Sequence, residues 1–175
     1  MSRTLIIYST VDGQTKSICQ QIKQICEADN KPVTLVSLAE AQSVNLSYYD
    51  KVMIGASIRY GKHRPELFQY VNRHRAVLNN KKNAFFTVNV VARKPEKNTP
   101  ETNPYMQKFI QLSLWQPQQL GVFAGKIDYP KYRMFDKLMI RFIMWMTKGP
   151  TDTSGTFEFT DWDKVGEFAK AFSER

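Results

Sequence analysis

The chain is poor in the residues on which covalent and metal chemistry depends. Of 175 residues, two are cysteine and two are histidine, with no C-x-x-C, catalytic triad, metal cluster or carboxylate pair, so no metal is expected. Cys19 and Cys26 lie about two helical turns apart on one face of the first helical pattern. At that separation they cannot bridge each other within the helix, and they are expected to pack inward. No signal-peptide pattern precedes the first apolar run, and a reducing, cytosolic setting is expected. The lysine of a Walker loop and the three-glycine dinucleotide fingerprint are both missing, which argues against those two modes of nucleotide binding. Acidic residues are the scarce charge, 16 against 25 Lys and Arg, for a net charge of +9 and a pI near 9.6. The surplus calls for an anionic partner: nucleic acid, an anionic membrane surface or a carboxylated substrate.

What is present begins at Leu5. The apolar run Leu5-Ile6-Ile7-Tyr8 ends in Ser9-Thr10-Val11-Asp12-Gly13-Gln14-Thr15, and a helical pattern follows at once. A strand, a tight loop and a helix N-terminus aim unpaired N–H groups and the positive end of a helix dipole at one point. Ser9, Thr10 and Thr15 add hydroxyls around it, so the loop suits a phosphate. Asp12 is out of place, because a carboxylate repels an anion. It is expected to brace the loop or cap the helix with its side chain turned away.

Further along, Ile18, Ile22, Ile25 and Cys26 recur at helical spacing until Ala28-Asp29-Asn30-Lys31-Pro32. Val33–Leu38, Val52–Ser57, Ala84–Asn89 and Leu120–Ala124 read as further strands. Helices are expected after Ala39, from Pro65 through Leu78, around Met106–Leu112, and from about Asp161. Alternation of this kind predicts a single α/β domain over residues 1–175, a doubly wound five-stranded parallel sheet of order 2-1-3-4-5 with helices on both faces. Ligands of such sheets sit at the carboxyl ends of strands one, three and four. Here those ends are Ser9–Thr15, Ser57–Gly61 and Asn89–Arg93.

A segment at about 125–156 is too long for a plain loop between the fifth strand and the last helix. Within it, Met134–Met146 reads as a helix, too short and too charged to span a bilayer. Arg133, Lys137, Arg141 and Lys148 form a basic stripe, and Phe135, Leu138, Met139, Phe142, Trp145 and Met146 crowd the opposite side. Two readings stay open at this point, a core helix capping the sheet and an exposed helix lying on an anionic membrane or a greasy partner.

The loop from Ser9 to Thr15 resembles the FMN phosphate loop of flavodoxin-like proteins. Together with Gly55-Ala56-Ser57-Ile58-Arg59-Tyr60-Gly61 and Val88-Asn89-Val90-Val91-Ala92-Arg93-Lys94-Pro95-Glu96-Lys97, it resembles the menaquinone-dependent protoporphyrinogen oxidases of the long-chain flavodoxin type. The likeness continues through Tyr129-Pro130-Lys131-Tyr132-Arg133, Thr151-Asp152-Thr153 and Phe159-Thr160-Asp161-Trp162. It covers nearly the whole chain.

The resemblance implies an FMN enzyme of haem biosynthesis that dehydrogenates protoporphyrinogen IX to protoporphyrin IX and passes electrons to a membrane quinone, menaquinone or ubiquinone. It would work peripherally at the cytoplasmic face of the cell membrane. By motif, Ser9, Thr10, Asp12, Gly13, Gln14 and Thr15 are expected around the FMN phosphate. Ser57, Ile58, Arg59, Tyr60 and Gly61, with Val88, Asn89, Val90, Val91, Ala92 and Arg93, are expected to flank the isoalloxazine. Tyr60 is the candidate for ring stacking and Asn89 with the neighbouring backbone for hydrogen bonds to the polar edge, while Thr151, Asp152 and Thr153 return to the cofactor side. Arg59, Arg93 and Lys94 are expected to meet the propionates, since arginine forks match carboxylates. The membrane-facing set is Phe135, Leu138, Met139, Phe142, Trp145 and Met146. His63 is left outside the site. A basic flavodoxin-like electron carrier and a generic quinone reductase are the alternatives, although simple flavodoxins are typically acidic. Nucleic acid is not an expected partner, because the cations follow the insert and cleft rims, and a homo-oligomer is left open.

Overall fold

A computed structural model describes residues 2–28 and 30–175, so Asp29 in the predicted end of the first helix lies outside the described residues. In chain order the main elements are β1 (Thr4–Ser9), α1 (Gln14–Glu27), β2 (Val33–Ser37), α2 (Leu38–Ala41), β3 (Lys51–Ser57), α3 (Pro65–Arg73) and α4 (Arg75–Asn79). They continue with β4 (Lys82–Asn89), α5 (Pro104–Leu112), β5 (Gln119–Ala124), β6 (Lys126–Asp128), α6 (Met134–Met146), β7 (Thr156–Glu158) and α7 (Trp162–Glu174).

The sheet has five strands in the order β2-β1-β3-β4-β5, and every neighbouring pair is parallel. Successive side chains point to opposite faces, so an unbroken apolar strand must be covered twice. On one face Leu5, Ile7, Ile54 and Phe85 pack against Leu67, Val71, Met106 and Phe109 from α3 and α5. Phe85 and Phe109 stack with ring centroids 3.8 Å apart. On the other face Ile6, Met53, Phe86 and Phe123 meet α1 through Ile18, Cys19 and Ile22, and α7 through Val165, Phe168 and Phe172. Cys19 and Cys26 are both buried thiols in this layer, where Cys26 Sγ donates to Ala169 O at 4.0 Å; burial pushes the Cys19 thiol up.

Two boundaries depart from the periodicity. Strand β2 stops at Ser37 rather than Leu38, because the Ser37 hydroxyl accepts from Glu40 N (3.1 Å) and Glu40 accepts from Ser37 N (3.3 Å). This capping box starts a helix at Leu38. The helix expected from Pro65 through Leu78 breaks at His74, which leaves helical geometry with φ −98° and ψ 12°. Leu78 N still bonds to His74 O (2.9 Å), so the apolar spacing runs on across the break.

The largest addition is in the insert. Strands β6 and β7 pair antiparallel, Lys126 with Glu158, Ile127 with Phe157 and Asp128 with Thr156. The segment between them therefore leaves and returns at one place. Its small core is built on Ile127, Tyr129 and Met144 with Val90, Tyr132, Ile140, Phe157 and Phe159 around them. The Tyr129 hydroxyl donates to Pro150 O at 2.6 Å. Helix α6 matches the predicted bounds and packs inward through Ile140 and Met144. The apolar set opposite is open: Phe135 is 69% exposed, Phe142 55% and Trp145 71%. Core packing of that face is thereby excluded.

Candidate functional site

The carboxyl ends of β1, β3 and β4 and the underside of the insert enclose one cleft, with about 860 Å³ of space that opens to solvent. From the sheet side, Thr10, Asp12, Gln14, Thr15, Ser57, Ile58, Arg59, Tyr60, Gly61, Val88, Asn89, Val90 and Val91 line it. Tyr105 from α5 adds to them, and Lys126, Ile127, Tyr132, Ile140, Ile143 and Met144 form the insert's wall.

At the β1 end, Gly13 sits at the N-cap of α1 with φ 95°, a left-handed conformation that glycine takes without a Cβ penalty. No side chain caps the helix, so its first N–H groups stay available to a ligand. The Thr10 hydroxyl accepts from Gly13 N (2.9 Å), which leaves its own O–H free to donate. Gln14 Nε2 donates to Thr160 Oγ1 (2.9 Å), and that hydroxyl donates to Ala124 O (2.7 Å). Thr15 Oγ1 and Ser57 Oγ are buried without a hydrogen-bond partner. Such atoms are costly unless something binds them.

Asp12 does brace the loop, but it does not cap α1. Its carboxylate accepts from the Arg59 guanidinium in an ion pair. The guanidinium also lies 5.3 Å from the Tyr132 ring centroid and 5.8 Å from that of Tyr60. Arg59, Tyr60, Gly61 and Lys62 form a tight turn in which Arg59 N donates to Lys62 O (3.0 Å) and Lys62 N to Arg59 O (3.2 Å). Its two central residues are left-handed, Tyr60 at φ 52° and Gly61 at φ 76°. That backbone costs a non-glycine residue about 1–2 kcal/mol. The Tyr60 hydroxyl donates to Asp136 of α6, tying the turn to the insert while the ring stands 45% exposed.

At the β4 end the expectation for Asn89 is corrected. Its side chain is saturated: Nδ2 donates to Thr87 Oγ1 (3.3 Å) and Asn103 Oδ1 (3.2 Å), and Oδ1 accepts from Ala92 N (3.1 Å) and Asn103 Nδ2 (3.0 Å). It shapes the loop and has no amide hydrogen left for a ring edge. Arg93 is engaged elsewhere. Nη1 donates to Val90 O (3.1 Å), and Nη2 donates to Thr147 O (2.9 Å) and Thr147 Oγ1 (3.2 Å). It pins the insert to the β4 loop rather than facing a carboxylate, and burial lowers its pKa.

Of the other expected residues, Ser9, Ala92, Lys94, Thr151, Asp152 and Thr153 do not line the cleft, whereas Gly13 lines an adjoining hollow that shares Asp12, Gln14 and Lys126 with it. Ser9 and Ala92 are buried beneath it. Asp152 accepts from Ser154 N (3.0 Å) and Ser154 Oγ (2.7 Å), closing a turn of the insert, and these bonds hold its carboxyl below the usual range. Tyr105, Tyr132, Ile140, Ile143 and Met144 were not expected in the cleft. The only signal for the last three was the side of α6 left over by the exposed set. His63 is buried away from the cleft, among Phe68, Phe85 and Phe109, with Nε2 3.0 Å from Thr87 Oγ1.

A flavodoxin-domain model matches residues 5–154. The chain belongs to the flavodoxin-domain family. It is 41% identical to the protoporphyrinogen IX dehydrogenase [quinone] of Escherichia coli strain K12, across 96% of this chain and 93% of that protein. It is 42% identical to the protein of the same name from Leishmania major, across 98% of this chain and 74% of that one. Among solved structures, oxidised flavodoxin 1 from Bacillus cereus superposes with a TM-score of 0.55 over 99% of both chains at 13% identity, a likeness of fold.

Membership of this family supports a flavin cofactor, and the residues present fit one. Two orphaned hydroxyls, Thr15 Oγ1 and Ser57 Oγ, stand at the uncapped start of α1 and the end of β3. Both can donate to a phosphate or a flavin heteroatom. Beyond them the wall turns apolar, through Ile58, Val90, Ile140, Ile143 and Met144, as a flat heterocycle requires.

Proposed function

We propose that this flavodoxin-domain protein binds FMN and dehydrogenates protoporphyrinogen IX to protoporphyrin IX in haem biosynthesis, passing the electrons to a membrane quinone such as menaquinone or ubiquinone. The observation that carries the reading is the composition of the cleft, in which an anion-receptive loop with unpaired buried hydroxyls faces an apolar wall contributed by the insert. The names of the two curated relatives supply the substrate and the acceptor class. Bound FMN would supply two-electron hydride chemistry.

The chain's own residues bind, orient and exclude. Thr10, Gln14, Thr15 and the first N–H groups of α1 would hold the phosphate, and Ser57, Ile58, Tyr60, Val90 and Val91 would bracket the ring. Arg59 and Lys126 are the basic side chains that line the cleft; Arg59 is committed to Asp12, and the charge of Lys126 suits propionates approaching the mouth. Ile140, Ile143, Met144 and Tyr132 would keep water from the ring's face.

The outer face of α6 supports peripheral attachment to an anionic membrane, at the cytoplasmic face if the substrates are drawn from there. Phe135, Leu138, Met139, Phe142, Trp145 and Met146 are exposed together, and Arg133, Arg141 and Lys148 of the basic stripe are exposed as well. Among the described residues no helix is long and apolar enough to cross a bilayer, so the helix would lie in the interface.

The test is anaerobic mixing of the FMN-loaded protein with protoporphyrinogen IX, followed by a menaquinone analogue. Bleaching of the flavin, rising porphyrin fluorescence and reoxidation by the quinone are expected. A flavin that stays oxidised with the porphyrinogen yet is reduced by a flavoprotein reductase would make the protein an electron carrier and overturn the reading.

A further inference from the structure

A carboxylate stands in a loop otherwise built to receive an anion. Asp12 lines the same cleft as Thr10, Gln14 and Thr15, one residue before the Gly13 N-cap. Left alone it would repel a phosphate dianion, through a Coulomb term that the partly exposed setting screens only in part. The side chain is 36% exposed, and its partner is Arg59, itself 17% exposed.

We propose that Arg59 is a positioning residue for the cofactor: by pairing with Asp12 it cancels the charge that would otherwise keep a phosphate out of the loop. The inference rests on the reading of the cleft as an FMN site. Arg59 is well placed for this work. The tight turn sets its backbone, the Tyr132 and Tyr60 rings lie on its guanidinium, and Tyr60 is tied to Asp136 of α6. The compensating charge is thus delivered by β3 and steadied by the insert, so the loop's affinity for an anion depends on two segments remote from it in sequence. Arg64 makes a separate contact to the loop, donating from Nη2 to Thr10 O (3.0 Å), and leaves the Asp12 carboxylate to Arg59.

The experiment is a double-mutant cycle on the flavin-free full chain, titrated with FMN and separately with riboflavin, which has no phosphate. Arg59→Met is expected to weaken FMN about tenfold and riboflavin less than twofold. Asp12→Asn is expected to bind FMN at least as tightly as the parent. The double variant is expected to recover most of the loss, because no carboxylate then remains to be cancelled. Arg59→Lys, which keeps the charge, should stay within severalfold of the parent. A double variant as weak as Arg59→Met would overturn the proposal, because Arg59 would then act on the phosphate itself. Equal losses for FMN and riboflavin would also overturn it, by showing that Arg59 only shapes the turn. Parent protein that binds neither flavin would overturn the FMN reading and this proposal together; FMN binding without rescue by Asp12→Asn overturns the proposal alone.

Discussion

Asn89 and Asn103 hold each other twice, Asn89 Nδ2 donating to Asn103 Oδ1 at 3.2 Å and Asn103 Nδ2 donating back to Asn89 Oδ1 at 3.0 Å. Both are buried. The pair joins the end of β4 to the start of α5, where Asn103 Oδ1 also accepts from Tyr105 N (3.2 Å) and Met106 N (3.1 Å). Asn103→Ala therefore removes a helix cap and strands the Asn89 amide in a dry site. A loss of about 2–4 kcal/mol is expected, read as a lowered urea midpoint, with FMN affinity falling as the β4 loop loosens.

Thr15→Ala should divide stability from binding. The Thr15 hydroxyl is buried and unpartnered in the flavin-free chain, so its removal is expected to stabilise that form by about 1 kcal/mol. FMN affinity is expected to drop about tenfold, because a donor to the ligand is gone. Denaturation of the flavin-free protein beside a flavin titration checks both signs. A fall in both quantities would show that the hydroxyl serves the fold.

His63 makes the fold sensitive to acid. Burial, aided by Lys108, pushes its pKa down to about 4 from an ordinary 6.5. Between these values the unfolded chain takes up a proton that the folded one refuses, so this contribution is complete above about pH 6.5 and is lost as pH falls toward 4. The difference reaches about 3 kcal/mol. His63→Phe should flatten that part of the stability profile relative to the parent, while Thr87 keeps its bond from Asn89.

The exposed face of α6 can be tested without touching the cleft. Phe142→Ser with Trp145→Ser is expected to release the protein from anionic vesicles in a flotation assay while FMN affinity stays unchanged, since neither residue lines the cleft. Unchanged vesicle binding would assign the apolar face to something other than lipid.

The strands, the phosphate-type loop and the bounds of α6 were legible in the sequence because each rests on local signals, apolar runs for β1, β3 and β4, hydroxyls and a glycine between strand and helix for the loop, and a 3.6-residue stripe for α6; the sheet order followed from the alternation of strands and helices. What stayed hidden is pairing at a distance. Asn89 looked available until Asn103 consumed its amide, and Arg93 looked like a carboxylate ligand until Thr147, far along the chain, took its Nη2. Asp12 showed its conflict with an anion but not its remedy, since the remedy is Arg59 in the turn after β3. Strands β6 and β7 escaped because three residues each are too few to show a period. Tyr132 and Ile143 became cleft residues only once that ribbon folded the insert back over the sheet.

That ribbon makes the insert a cassette. Its last paired residues, Asp128 and Thr156, lie opposite one another and share a side-chain hydrogen bond of 3.0 Å, so the chain enters and leaves the lobe through a single doorway. Everything from 129 to 155 could be exchanged for a two-residue hairpin turn without moving either flanking strand, and the five-stranded sheet would keep its connectivity. The roof of the cleft and its outward apolar face would then go together. In such an architecture the surface for reaching greasy reactants can be gained, lost or traded as one inherited block on a flavin-binding core, with Arg93, the Tyr60–Asp136 contact, the Arg59–Tyr132 contact and the packing of Val90 to be remade at the seam.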